Sequence, residues 1–251
     1  MTDAIILHAP LRPPLSCPSW QEALLQSLPY AHRLELERRE PEARRASLAG
    51  LGLVLLAAVR LTGQECPSRA FTFPPGGKPR LVGGPFFSVS HTPSRVACIV
   101  CAAADCGIDI EDLPESVKTA ALAQLRRWTA TEAALKAAGL GLRAASEVAL
   151  ADSLGQAVIR SERYELQAVD TVPEVVGHVA ARTQLRLVVE SLELDDARLS
   201  ALLERSLGLA TQFELTSGHR LLPAGQGLGV HRAAHFHGFA VHDRDPAEGQ
   251  R

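Results

Sequence analysis

The sequence predicts a mixed α/β (α+β) fold, and three observations carry that prediction. Short apolar runs rich in β-branched residues, among them Ala4-Ile5-Ile6-Leu7 and Ile108-Asp109-Ile110, read as strands. Residues 31–61 and 128–138 carry the composition and patterning of helices. The two kinds of segment follow one another along the chain, so they pack together in shared layers. With 251 residues, 46% of them hydrophobic, there is chain enough for one large domain or two small ones around a sizeable core.

Residues 4–9 form the first strand candidate, and a Pro-rich loop follows at 10–18. Ser19 can cap a short helix over 20–28. From 31 to 61 the pattern is helical. It opens with His32, Arg33, Arg38 and Arg39, passes Pro41, and continues through Arg44 and Arg45 into an apolar half. Pro41 suits the first turn of a new helix, where a missing N–H costs nothing. Phe71-Thr72-Phe73 alternates briefly as a strand, and residues 74–79 (Pro-Pro-Gly-Gly-Lys-Pro) form a turn. Strands are expected at 86–91, 95–100 and 106–111, linked as hairpins, so that Ser90-His91 and Asp109/Glu111 arrive together. Residues 112–127 read as a short connection, helical after Pro114. The helix carrying Glu132 and Lys136 stops at Gly139-Leu140-Gly141. Further strand candidates lie at 147–151, 157–159, 164–170 and 175–181, the last apolar enough to be central. Residues 192–209 suggest an amphipathic helix, and 215–251 read as loosely ordered or docked by a partner.

A net charge of -2 argues against a general nucleic-acid or membrane-surface binder. The longest apolar run, residues 51–59, falls short of the roughly 20 residues of a membrane span and stops at Arg60. No signal peptide is read at the start, which has an acidic Asp3 and no basic stretch. Five cysteines without a disulfide framework suit reduced thiols and a cytoplasmic location. Cys98 and Cys101 form a C-x-x-C inside a strand, where positions i and i+3 face opposite ways, so with Cys106 they read as small core residues. His231, His235, His237 and His242 crowd near the end of the chain. They read either as a transition-metal site or, the favoured reading, as neutral imidazoles in a loose tail.

Chemistry concentrates in two stretches. Residues 106–111 (Cys-Gly-Ile-Asp-Ile-Glu) place Asp109 and Glu111 on one face of a strand end. Residues 128–139 place Glu132 and Lys136 one turn apart on one helix face. Brought together, three carboxylates repel unless a cation neutralises them, and carboxylates with substrate phosphates are a usual way to hold Mg²⁺. The alternative is an exposed strand end beside a solvated ion pair. The chain's cations are almost all arginine, with lysine only at Lys78, Lys118 and Lys136. A compact ammonium serves as a point-like donor to phosphate.

Four motifs in order resemble those of the Sfp-type 4′-phosphopantetheinyl transferases. Gly77-Lys78-Pro79 matches the family's G-K-P, and Phe87-Ser88-Val89-Ser90-His91-Thr92 is similar to its F-N-x-S-H-S. Gly107-Ile108-Asp109-Ile110-Glu111 matches G-[IV]-D-[IVL]-E. Trp128-x-x-Thr131-Glu132-Ala133-x-x-Lys136-x-x-Gly139-x-Gly141-Leu142 is similar to W-x-x-K-E-A-x-x-K-x-x-G-x-G-L. The resemblance covers about residues 1–182. It implies two similar α/β halves related by a pseudo-twofold, here residues 1–104 and 105–182, with 183–251 as a C-terminal extension. It also implies transfer of the 4′-phosphopantetheine arm of coenzyme A to a serine of an acyl or peptidyl carrier protein. Asp109, Glu111 and Glu132 would ligate Mg²⁺, and Glu132, Lys136 and Asp109 would carry the catalysis. Lys78 and Lys136 would hold phosphate oxygens, helped by Gly77, Pro79, Ser90, His91 and Thr92. Arg33, or a neighbour such as Arg38 or Arg45, would reach the nucleotide. A monomer is expected, with no nucleic-acid or membrane partner. Three features depart from the family pattern. Thr131 replaces a lysine, Ser88 replaces an asparagine, and the connection from Glu111 to Trp128 lacks a stretch that helps dock the carrier. The competing reading is a non-catalytic relative that binds CoA or a carrier domain without transfer.

Overall fold

The computed structural model describes residues 2–11, 19–64, 66–114, 116, 119–169, 174–194 and 201. The tail histidines, Lys118 and most of the expected 192–209 helix lie outside these residues. The fold is mixed α+β. Its first sheet has the order β11-β1-β5-β4, from β1 (Thr2–Pro10), β4 (Phe86–His91), β5 (Arg95–Cys101) and β11 (Leu185–Ser191). Its second has the order β6-β10-β9-β8-β7, from β6 (Cys106–Asp112), β7 (Val148–Leu150), β8 (Gln156–Ile159), β9 (Glu162–Ala168) and β10 (Val175–Ala181). A third, two-stranded sheet pairs β2 (Phe71–Thr72) with β3 (Arg80–Leu81).

Strand alternation explains how the two large sheets stack. In β1, Ile5, Leu7 and Ala9 enter a core shared with the helices α1 (Ser19–Ser27), α2 (Tyr30–Glu37) and α3 (Pro41–Thr62). Ala4 and Ile6 enter a second core with Ile99 of β5, Ile108 and Ile110 of β6 and Val179 of β10. Both faces of β1 and β5, the middle of the first sheet, are therefore covered, which is why these two strands are apolar without alternation. A third core joins the outer face of the second sheet, through Ile159, Tyr164 and Leu166, to Ala130, Ala133, Ala134 and Leu135 of α4 (Thr119–Ala138). The layers run helix, sheet, sheet, helix.

Helix ends follow the sequence. Pro41 opens α3, and Gly63 closes it in the left-handed region at φ 69°, its N–H on the Val59 carbonyl. By length and composition α3 would also pass as a membrane span; here its apolar residues are buried in the first core, against β1, β4 and β5. At the end of α4, Gly139 (φ 69°) donates to Lys136 O and Leu140 donates to Leu135 O, a Schellman cap.

Three expectations are corrected. β5 and β6 are not a hairpin: β6 leaves the first sheet and becomes an edge of the second, pairing with β10. Residues 119–127 are helical, as expected, but they form the first half of α4 and not a separate connection. Residues 185–191, assigned to the extension, are a strand, pairing in parallel with β1 from Thr2↔Leu185 to His8↔Ser191. Arg186 clamps this pairing with a two-pronged bond to Asp3, 2.6 and 2.7 Å.

Candidate metal centre

The site forms where β6 meets α4. Gly107 makes that contact possible, because a Cβ there would run into the Ala133 carbonyl and come within 2.6 Å of the Ala137 amide. Only a glycine lets the strand lie this close to the helix backbone. Gly107, Asp109 and Glu111 share the β6 face that looks at α4, since alternate residues point the same way. Glu132 and Lys136 come up from the helix to meet them. One carboxylate oxygen from each of Asp109, Glu111 and Glu132 falls within a set spanning no more than 4.8 Å. Asp109 is the buried member, 3% exposed. Its Oδ1 accepts from Lys136 Nζ at 2.6 Å and Ser90 Oγ at 2.9 Å. Its Oδ2 is buried without a hydrogen bond.

The other edge of β6 is unusual. It faces β4, yet no backbone ladder joins the two strands. Side chains take its place. Ser88 Oγ accepts from Ile108 N–H and Ser90 Oγ from Ile110 N–H, both at 3.3 Å. Lys136 Nζ donates to Ile108 O at 3.1 Å, and Lys78 Nζ donates to Cys106 O. Two serines and two lysines thus satisfy backbone groups that would otherwise be buried unpaired. Ser88 is accounted for by this role. Lys78 is buried and also sits 3.6 Å from Asp105, which Arg80 grips in a two-pronged bond. Burial pushes the Lys78 ammonium below its usual pKa, against the pull of Asp105.

The remaining predicted residues divide. His91 ends β4 beside the carboxylates. Burial, then the charges of Lys136 and Arg39, hold its pKa below the usual histidine value. Arg39, in the connection between α2 and α3, acts on His91 through its charge, while its guanidinium is held by Ser47 Oγ at 3.0 Å and Glu35 at 2.6 Å. Arg33 is engaged elsewhere, with Gln26 at 2.9 Å, Glu37 at 3.8 Å and the Tyr30 ring. Thr92 is committed to the β4–β5 turn: its Oγ1 donates to Asp112 and accepts from the amides of Ser94 and Arg95. Gly77 closes the 74–79 turn by donating to Pro74 O, and Pro79 is half-buried behind Lys78 in the chain. Thr131 spends its hydroxyl on Arg127 O at 2.8 Å, inside the helix. Sequence reasoning missed His178. It is buried in β10 directly opposite Asp109, with Nδ1 2.7 Å from Thr129 Oγ1 of α4. A histidine inside an otherwise apolar strand was the available signal.

The donor set suits a hard divalent cation. All three donors are carboxylate oxygens, the ligands Mg²⁺ and Ca²⁺ prefer. Two oxygens on one Mg²⁺ at about 2.1 Å lie at most about 4.2 Å apart. A set within 4.8 Å needs to close by about half an ångström. Asp109 Oδ2, buried and without a partner, is the atom such an ion would satisfy. Compared with known protein families, the chain matches none, and no curated protein matches it either.

Proposed function

We propose that the chain is a Mg²⁺-dependent 4′-phosphopantetheinyl transferase, moving the phosphopantetheine arm of coenzyme A to a serine of an acyl or peptidyl carrier protein. The observation that carries this reading is the buried Asp109 oxygen without a partner, set among Glu111, Glu132 and Lys136. The two sheets and their flanking helices are compatible with two similar halves, and the motif order adds the reaction class. Asp109, Glu111 and Glu132 would hold the ion. When bound, Mg²⁺ supplies charge neutralisation at the diphosphate being split. Lys136 stands beside Asp109 and adds a fixed positive charge for phosphate oxygens. Glu132 takes the proton from the incoming serine hydroxyl. His91, at the end of β4, offers a donor on the first-sheet side, and Arg39 adds positive charge there.

A second reading, binding without transfer, is favoured by one observation. Lys78 is already committed to Cys106 O and Asp105, and Thr131 offers no charge. Mass spectrometry separates the two. Incubated with CoA, Mg²⁺ and the chain, a carrier protein gains the phosphopantetheine mass on its serine, and Glu132→Gln abolishes the gain. A panel of fatty-acid, polyketide and peptide-synthetase carriers that all stay unmodified, while CoA still binds, would select the second reading.

A further inference from the structure

The edges of a sheet carry backbone groups that must pair or face water. In the two large sheets most edges are accounted for. β4 and β6 face each other across serine and lysine side chains. β7 is three residues long and lies beside α4. β11 is different. It is seven residues long, ends the first sheet, and has no strand on its outer side among the described residues. Leu185 and Leu187 face the core between the sheets, so Val189 shares that side and Arg186, Val188 and Glu190 take the other. Val188 and Val189 are 51% and 44% exposed, on opposite faces at the same point of the strand. What lies uncovered there is the edge itself, not one face.

The charges of this edge complement themselves. Pairing about a two-fold axis is antiparallel and reciprocal: where residue i meets j, j meets i. Centred on Val188, it opposes Leu185 with Ser191, Arg186 with Glu190 and Leu187 with Val189, and so uses all seven residues. Moving the centre by one residue leaves a strand end unpaired and parts the two charges. Arg186 and Glu190 already hold Asp3 and Arg60 within the chain. Across the axis the signs then alternate, from Asp3 to Arg186 to Glu190 of the second copy and on to its Arg60. Opposite charges directly across a strand pair stabilise it, and like charges destabilise it.

We propose that the chain forms a two-fold dimer through β11, the edge being filled by β11 of a second copy, in place of the monomer expected from the sequence. Two four-stranded sheets become one continuous sheet, with Val188 against Val188 at the axis. The carboxylate site lies past the opposite edge, where β4 faces β6, so the pairing does not cover it.

Sedimentation velocity of the full chain over a concentration series tests this, with circular dichroism to verify folding. The parent should sediment with the mass of two chains and fall to one on dilution. Arg186→Glu or Glu190→Arg alone sets like charges face to face at two places, so each dimer should dissociate at a concentration roughly tenfold higher or more. Mixed in equal amounts, the two variants should dimerise again, because every reversed position then meets its opposite. Val188→Lys, at a half-exposed position, puts two ammonium groups at the axis and should give a monomer. A parent with the mass of one chain at every concentration would overturn the proposal. So would a single reversal that dimerises as the parent does, or a mixture no tighter than its components. Should the reversals fail to fold, a folded Val188→Lys that dimerises like the parent would overturn it.

Discussion

Replacing Gly107 by alanine adds one methyl group, and the structure says it has nowhere to go. The new Cβ would overlap the Ala133 carbonyl and lie 2.6 Å from the Ala137 amide, where carbon contacts settle near about 3.5 Å. Both obstacles are helix backbone, so no side-chain rotation relieves them. β6 and α4 must part by roughly 1.5 Å to clear the Ala133 carbonyl. Overpacking of this kind costs about 3 kcal/mol. Gly107 has no left-handed backbone to protect, so alanine recovers about 1 kcal/mol through a less flexible unfolded chain. The net loss is about 2 kcal/mol, a fall in Tm of roughly 4–8 °C for a chain of this size. The same separation moves Glu132 away from Asp109 and Glu111. Thermal unfolding by circular dichroism, with and without Mg²⁺ and CoA, reads both effects. A variant within about 0.5 kcal/mol of the parent, with its Mg²⁺ response intact, would refute the close packing and its role in assembling the site.

Three further outcomes follow from the same geometry. Lys78→Met removes the donor to Cys106 O and leaves Asp105 to Arg80 alone, so urea denaturation should show a loss of about 1–3 kcal/mol; an unchanged midpoint would mean that the β6 edge does not need this partner. Ser90→Ala leaves the Ile110 amide and Asp109 Oδ1 each short of a bond, and a loss of about 1–3 kcal/mol is expected in the same assay. His8, His32 and His91 all have pKa values lowered in the fold, chiefly by burial. The unfolded chain then binds more protons below its ordinary histidine pKa of about 6.5, so stability falls as pH drops from there, by up to about 1.4 kcal/mol per pH unit for each histidine. His8→Gln should flatten that slope in stability measured from pH 7 to 5, and a slope that does not change would contradict the assignment.

Much of this was legible in the residues. Pro41, Gly63 and Gly139 mark helix ends because their backbone limits are local. The face shared by Asp109 and Glu111 follows from strand alternation, and the i, i+4 spacing of Glu132 and Lys136 from the helix period. Non-local pairings were not legible. β11 carries exposed Val188 and Val189 and a half-covered face, and only β1, some 180 residues away, makes it a strand. The departure of β6 into a second sheet has no local signal either, since Cys106-Gly107-Ile108 would fit a hairpin equally well. That change of sheet decides what Ser88, Ser90 and Lys78 do, because it leaves a strand edge they must satisfy. That the charge of Arg39, and not that of Arg33, acts on His91 depends on packing that no motif encodes.

The central claim is that β6 and α4 together grip one divalent cation. Calorimetric titration of Mg²⁺ into the full chain with CoA present measures it directly. A saturable one-site heat in the parent chain, lost in folded Asp109→Asn and Glu132→Gln, is the predicted result. No heat in the parent, or the same heat in all three, would contradict it.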